Sequence, residues 1–173
     1  TVLRTVDESI RLKPVTLITG ARQVGKTTLC KHIAKKRGLN YVSLIDRSER
    51  VMANEDPDMF LSIHKSPLIV DEVQYAPGLL DLIEAAVDKE KYDKGRNEGM
   101  YLLTGNQAYS LMEGVTQSMA GRISIIEMSP LSMNEILSRD ETPFEVNFEE
   151  NIKKSKEKTL PVEEVYQMVI RGS

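Results

Sequence analysis

Several features that would assign the chain to a specialised class of protein are scarce or missing. Among its 173 residues there is one cysteine, Cys30, so no disulfide bond can form within the chain. Cys30 lies beside Leu29 and Ile33 in a helical apolar pattern, which predicts a buried packing position and no redox role. No apolar stretch approaches the roughly 20 residues that a membrane-spanning helix needs, and no signal-peptide pattern opens the sequence. We therefore expect a cytoplasmic protein without membrane association.

Charge of one sign is not in large excess either. The formal net charge is −3 and the isoelectric point is about 5.5, which gives no overall attraction for nucleic acid. A local basic patch, and with it a nucleic-acid partner, stays open. With 40% hydrophobic and 28% charged residues, the composition is that of a globular domain with a real core.

The segment that carries most information is Gly-Ala-Arg-Gln-Val-Gly-Lys-Thr, residues 20–27, a complete G-x-x-x-x-G-K-[ST] phosphate-binding loop. An apolar run precedes it and a helical pattern follows, so backbone N–H groups and a helix N-terminus would face phosphate oxygens. Lys26 would reach the β- and γ-phosphates, and the Thr27 hydroxyl would bind Mg²⁺. The predicted nucleotide-binding residues of this segment are Gly20, Ala21, Arg22, Gln23, Val24, Gly25, Lys26, Thr27 and Thr28.

Two adjacent carboxylates, Asp71 and Glu72, follow the apolar run Leu-Ile-Val at residues 68–70. This is the pattern of a Walker B element, in which Asp71 would hold Mg²⁺ beside Thr27. Glu72 would orient or deprotonate the attacking water. Since neighbouring side chains on a strand point in opposite directions, we expect the pair to lie at the strand's end. Gln74 would contact phosphate or water, or face solvent.

Three further polar residues are candidates for the same site. Thr104 or Asn106, at the end of the fourth apolar run, would bond the γ-phosphate or the attacking water, while Asn106 equally suits a helix N-cap. Arg122 would bring positive charge to the phosphoryl group, in its own subunit or across an interface, or would simply pair with a helix end. Lys26, Glu72 and Arg122 are thus the predicted catalytic residues.

Short apolar runs alternate with helical patterns, which predicts an α/β fold whose parallel sheet is covered by helices on both faces. The five expected strands cover residues 15–19, 41–45, 68–70, 100–104 and 123–128. The expected helices cover residues 26–37, 56–63, 110–119, 130–138 and 161–170, and another begins at Pro77-Gly78. A charged surface loop is expected at residues 91–99.

Five motifs, taken together and in this order, resemble those of the bacterial and archaeal AAA-domain ATP-binding proteins, a branch of the AAA+/STAND P-loop ATPases. They run from about residue 14 to about residue 138 and read Gly-Ala-Arg-Gln-Val-Gly-Lys-Thr-Thr-Leu, Val-Asp-Glu-Val-Gln-Tyr-Ala-Pro, Leu-Leu-Thr-Gly-Asn, Met-Ala-Gly-Arg and Met-Ser-Pro-Leu-Ser-Met-Asn-Glu. The resemblance implies a three-layer P-loop NTPase fold with strand order 5-1-4-3-2. It also implies Mg-ATP binding and a sensor residue at Thr104 or Asn106, where Asn106 replaces the family's usual serine.

The change in composition after Arg139, together with the resemblance, predicts a division into parts. Residues 1–139 would be the ATPase core, and residues 140–158, rich in charge and poor in apolar residues, would be a linker or a mobile insertion. Residues 159–173 would begin a helical C-terminal region. Because the chain starts at Thr1 rather than methionine and ends abruptly at Arg171-Gly172-Ser173, we expect a fragment. The resemblance implies that the missing part of the longer protein includes a C-terminal domain.

Four functions remain to be weighed. The leading one is Mg²⁺-dependent ATP hydrolysis that drives a conformational change in attached domains or partners. The second is an ATP-bound switch or scaffold with little turnover, of a defence or signalling type. A small-molecule kinase is disfavoured because an arginine-rich lid is missing. The acidic pI disfavours a nucleic-acid motor, although a homo-oligomeric ring could build a basic channel from few basic residues per subunit. ATP rather than GTP rests on the resemblance, since no guanine-reading motif is present.

Overall fold

A computed structural model of the chain describes residues 2–106, 119–136, 149, 152 and 160–171. Most of the helix predicted at residues 110–119 and nearly all of the predicted linker at 140–158 lie outside these residues. The chain divides into two compact units, Thr1–Ser129 and Pro130–Ser173. The boundaries predicted at residues 139 and 158 stay predictions.

The described residues form five strands and seven helices, numbered here in chain order. The strands are β1 (Val15–Gly20), β2 (Asn40–Ser43), β3 (Leu68–Asp71), β4 (Tyr101–Thr104) and β5 (Ile123–Met128). The helices of the first unit are α1 (Val2–Leu12), α2 (Lys26–Arg37), α3 (Arg47–Glu55), α4 (Pro57–Ile63) and α5 (Leu79–Lys94), with a 3₁₀ turn at Val73–Tyr75. In the second unit the helices are α6 (Met133–Ile136) and α7 (Val162–Arg171).

All five strands form one parallel sheet in the order β2-β3-β4-β1-β5. Read from the other edge this is 5-1-4-3-2, so the predicted topology is confirmed. β1 lies between β4 and β5, with Val15 in register with Tyr101 on one side and Ile123 on the other. The carboxyl ends of β1, β3 and β4 therefore meet at the same edge of the sheet, where parallel α/β folds bind ligands.

Alternation along the central strands divides the core into two layers, one on each face of the sheet. Leu17 and Val70 face the layer that contains side chains of α3, α4 and α5, including the fully buried Phe60 and Ile83. Ile18, Ile69 and Leu102 face the other layer, formed by α1 and α2 and including the buried Cys30. The predicted three-layer arrangement and the buried position of Cys30 are thus confirmed.

Two helices were missing from the sequence prediction, and one predicted loop is partly wrong. α1 buries Val6 and Ile10, four residues apart, against the sheet. α3 has one fully buried residue, Ala53, and its start is instead fixed by Asp46, whose carboxylate accepts hydrogen bonds from two backbone N–H groups of the first turn. α5 continues to Lys94 and ends at Gly95 in a left-handed conformation, so residues 91–94 of the expected charged loop are helical.

The second unit is described in part. α6 begins with a capping box in which the Glu135 N–H donates to Ser132 Oγ (3.1 Å) and the Ser132 N–H donates to a Glu135 carboxylate oxygen (2.9 Å). α7 follows Pro161 and has Glu163 and Glu164 in its first turn, where acidic groups favour the helix dipole. In the part of the chain that the structure describes, no helix combines the length and apolar character that crossing a membrane requires.

Two neighbouring residues of α4 should differ sharply in their contribution to stability. Phe60 is fully buried, whereas Met59 is 53% exposed. We expect Phe60→Ala to lower the free energy of unfolding by about 3–5 kcal/mol, because a large cavity opens in the core. Met59→Ala is the matched control and should cost less than about 1 kcal/mol in urea unfolding. Similar losses for both variants would show that α4 does not pack as described.

The single cysteine gives a second test of the core. Burial, together with the nearby Asp71 carboxylate, raises the pKa of the Cys30 thiol to about 12. Because it is the thiolate, and not the thiol, that attacks a disulfide reagent, native chain at pH 8 should react with a chromogenic disulfide far more slowly than chain unfolded in guanidinium. Thiol release followed by absorbance measures both rates. Equal rates in the two states would contradict the buried position of Cys30.

Candidate functional site

The phosphate loop joins β1 to α2 through an unusual backbone path. Gly20 has φ 144°, Gln23 has φ 67° and Gly25 has φ 97°, so three residues in six have positive φ. At Gly20 a Cβ atom would lie 2.2 Å from the backbone oxygen of Met128, so no other residue fits there. α2 begins at Lys26, directly after Gly25, so its N-terminal dipole contributes positive potential at the loop.

The Lys26 ammonium group lies inside this loop rather than in solvent. Its side chain is 5% exposed. Its Nζ donates hydrogen bonds to the backbone oxygens of Gly20 (2.9 Å) and Ala21 (2.7 Å) and to Asn106 Oδ1 (3.3 Å). Asn106 follows β4, so the structure brings the loop and the end of a neighbouring strand together around one positive charge.

Asp71 is the centre of a second cluster. Its fully buried carboxylate accepts hydrogen bonds from the hydroxyl groups of Thr27 (3.0 Å), Thr104 (2.5 Å) and Tyr41 (3.0 Å). Burial and the Asp71 carboxylate raise the pKa of the Tyr41 phenol above its usual range, so the phenol keeps its proton and remains a donor. The Tyr41 contact was not anticipated from the sequence.

The donor atoms around Asp71 suit magnesium. Thr27 and Asp71, the two predicted ligands, offer a hydroxyl and carboxylate oxygens in direct contact, and Mg²⁺ prefers oxygen ligands. Among the described residues no cluster of three or more histidine, cysteine, aspartate or glutamate side chains forms a separate metal site. The oxygen atoms of Thr27 and Asp71 are thus the part of the site whose chemistry fits Mg²⁺.

Glu72 leaves the strand in a different direction from Asp71. β3 ends at Asp71, and Glu72 has a left-handed backbone with φ 62° and ψ 49°. Its N–H donates to Thr104 Oγ1 (3.0 Å), and its Oε2 accepts a hydrogen bond from Gln74 Nε2. The two carboxylates therefore lie at the strand's end, with Asp71 in the buried cluster and Glu72 at the wall of a pocket.

That pocket has a volume of about 380 Å³ and lies over the phosphate loop. Its lining residues are Arg22, Gln23, Gly25, Lys26, Thr27, Thr28, Ile45, Glu72, Tyr75 and Asn106. Ile45 and Tyr75 were not predicted. Ile45 was expected inside the second strand, but β2 ends at Ser43; Tyr75 lies three residues after Glu72 in the 3₁₀ turn. Four of the predicted binding residues do not line the pocket: Gly20, Ala21, Val24 and Thr104.

The structure does not bring Arg122 to this pocket. Arg122 precedes β5, and its backbone oxygen accepts a hydrogen bond from the Val15 N–H at the amino end of β1. The phosphate loop follows the other end of β1, five residues away, which is about 17 Å along a strand. The guanidinium is held by Asp88 (2.7 Å) and Glu84 (3.2 Å) of α5. The structure therefore keeps Arg122 apart from the pocket. Its catalytic role, in its own subunit or across an interface, stays a prediction.

Comparisons with known proteins give relatives of this chain, its family and a solved structure with its fold. Two curated relatives are 30% identical to the chain over 125 residues: Uncharacterized protein Rv2008c of Mycobacterium tuberculosis and Uncharacterized protein Mb2031c of Mycobacterium bovis. The match covers 71% of this chain and 26% of each relative, so the chain spans about a quarter of their length.

A solved structure, the Walker-type ATPase PABY2304 of Pyrococcus abyssi, shares the fold. Its TM-score is 0.51 at 18% identity, with 81% of this chain and 58% of that chain covered. The AAA domain family matches residues 12–137, well over half of the chain. The sequence motifs, the sheet order and this match agree, and the chain belongs to the AAA domain family.

Proposed function

We propose that the chain binds ATP with Mg²⁺ and hydrolyses it, and that hydrolysis drives a conformational change in attached domains or partners. The observation that carries the proposal is the separation of two adjacent carboxylates. Asp71 is buried and hydrogen bonded to the Thr27 hydroxyl, whereas Glu72 lines the pocket above the phosphate loop. This separation supports a proposal in which the first carboxylate binds an ion and the second binds a water molecule.

Each part of the site would have a distinct task. The backbone of the loop and the Lys26 ammonium group would bind the phosphates, since both contribute positive potential at the pocket floor. Thr27 and Asp71 would hold Mg²⁺, which when bound neutralises charge on the phosphate oxygens. Glu72 would accept a proton from the attacking water.

The two sensor candidates would act differently. Thr104 is buried and bonds both the Asp71 carboxylate and the Glu72 backbone. It would therefore fix the relative positions of the two acidic residues without touching nucleotide. Asn106 lines the pocket and contacts Lys26. We propose Asn106 as the residue that contacts the phosphate of bound nucleotide.

Contacts beyond the pocket support coupling to a conformational change. The Tyr75 backbone oxygen, three residues after Glu72, accepts a hydrogen bond from Asn54 Nδ2 of α3 (2.9 Å). The guanidinium of Arg50, also on α3, lies 5.3 Å from the centroid of the Tyr75 ring. A shift of the turn after Glu72 would therefore reach α3, a helix with one fully buried residue.

The first test separates binding from hydrolysis. Glu72→Gln should lower the rate of phosphate release from Mg-ATP by about 100-fold or more, because it removes the proton acceptor. ATP affinity should stay within about threefold of the wild type, because the loop and Lys26 are unchanged. Lys26→Ala should lose ATP binding. Steady-state phosphate release and equilibrium ATP binding are the two measurements.

The matched control for charge removal is Glu8→Gln, which changes an exposed carboxylate on α1 that pairs with Arg4. Its turnover and affinity should equal those of the wild type. If the wild type binds ATP tightly but neither it nor any variant turns ATP over, the hydrolytic function is overturned in favour of the ATP-bound switch. Failure of the folded wild-type chain to bind ATP would overturn the nucleotide assignment.

The second test concerns magnesium. Removing Mg²⁺ with a chelator should stop turnover. Thr27→Ala should raise the Mg²⁺ concentration for half-maximal turnover by about tenfold or more, because one oxygen ligand is lost. Thr27→Ser keeps the hydroxyl and should resemble the wild type. Thr28→Ala, at the next pocket residue, controls for a general effect on the loop; an equal shift in the Thr27→Ala and Thr28→Ala variants would contradict a specific role for Thr27.

A further inference from the structure

We propose that Gln74 is a positioning residue, which holds the Glu72 carboxylate in the orientation that turnover requires. This inference rests on the proposed hydrolytic function of the same site. Gln74 Nε2 donates a hydrogen bond to Glu72 Oε2. Gln74 does not line the pocket, so any effect it has on the reaction is exerted through Glu72.

The local backbone brings the two side chains together. Glu72 has a left-handed conformation, and the chain then makes a 3₁₀ turn in which the Tyr75 N–H donates to the Glu72 backbone oxygen (3.1 Å). The Glu72 N–H is fixed at the same time by Thr104 Oγ1 (3.0 Å). The backbone N–H and the backbone oxygen of Glu72 are thus both hydrogen bonded, and the bond from Gln74 adds a constraint on the Glu72 side chain.

The Gln74 amide has one orientation that suits this contact. Its Oε1 atom is buried and has no hydrogen-bond partner among the described residues. Reversing the amide would place that oxygen against Glu72 Oε2, so that two acceptors would face each other. A buried acceptor without a partner is unfavourable, and it persists here with the amide N–H groups directed at Glu72. The contact with Glu72 therefore determines how Gln74 is placed.

This arrangement suits a proton acceptor. The bond from Gln74 engages Oε2, which leaves Oε1 of Glu72 to accept a proton from the attacking water. A carboxylate that rotates freely is in the productive orientation for only part of the time, whereas a held carboxylate is oriented before the nucleotide arrives. The expected consequence is an effect on the rate of the chemical step and little effect on ATP binding.

The experiment compares kcat and KM for ATP in the whole protein with Gln74→Met, which keeps the side-chain length and removes the donor. We expect kcat to fall about tenfold, a part of the effect that removing a general base has, with KM and ATP affinity within about twofold. In a Glu72→Gln background, adding Gln74→Met should cause no further loss, because the group that it positions is gone.

The matched control is Asn54→Ala. Asn54 bonds the Tyr75 backbone oxygen of the same turn (2.9 Å) and the Arg50 backbone oxygen (2.8 Å). A general loosening of the turn would lower kcat in this variant as much as in Gln74→Met, and that outcome would overturn a specific role for Gln74. If Gln74→Met does not fold, Gln74→Glu makes the same test, since it keeps the shape and repels Glu72; unchanged kcat there overturns the inference.

The results also separate this inference from the function on which it rests. Turnover that is insensitive to Glu72→Gln, or absent in the wild type, overturns the hydrolytic function and the role of Gln74 with it. Turnover that depends on Glu72 but is unchanged in Gln74→Met overturns the role of Gln74 alone. Both are supported if Gln74→Met lowers kcat with KM unchanged in the wild-type background and does not lower kcat further in the Glu72→Gln background.

Discussion

The arrangement of the site depends on the burial of one negative charge. Asp71 has no exposed surface, and a buried carboxylate is stable only when it is hydrogen bonded. Its partners come from three different parts of the fold: Thr27 from α2, Tyr41 from β2 and Thr104 from β4. Satisfying this charge therefore fixes the phosphate loop, the edge strand and the neighbouring strand relative to one another. The same cluster also positions Glu72, because Thr104 Oγ1 accepts a hydrogen bond from the Glu72 backbone N–H.

The sequence predicted the parts of the site that local pattern determines. The phosphate loop has a spacing of glycine and lysine that specifies its conformation, and the apolar run before Asp71 identifies a strand end. Strand order came from the resemblance rather than from periodicity, because apolar runs show that strands exist and not which strands are neighbours. The two missed helices, α1 and α3, bury few residues each, so their apolar pattern is short, and the start of α3 depends on a cap at Asp46 rather than on burial.

The rest of the site depends on distances that no local pattern contains. Tyr41 is an unremarkable strand residue until β2 pairs with β3 and brings its hydroxyl to Asp71. From the sequence, Gln74 is expected to contact phosphate or water, or to face solvent. The structure instead directs it at Glu72. Glu72 has a left-handed backbone although it is not glycine, and no sequence pattern predicts that conformation. Arg122 has the charge that catalysis would need, but it precedes β5, whereas the phosphate loop follows β1. Because β1 and β5 are parallel, these two positions lie at opposite ends of the strands.

The contact between Gly20 and Met128 has a mechanical consequence. Met128 is the last residue of β5 and pairs in register with Gly20, the first residue of the phosphate loop. Their backbones approach so closely that there is no room even for one carbon atom on Gly20. With no side chain between them to absorb a displacement, a movement of either backbone is passed to the other. The end of the outermost strand and the entrance to the loop would then shift as a single body, so that strain in the chain at Met128 would alter the geometry offered to phosphate.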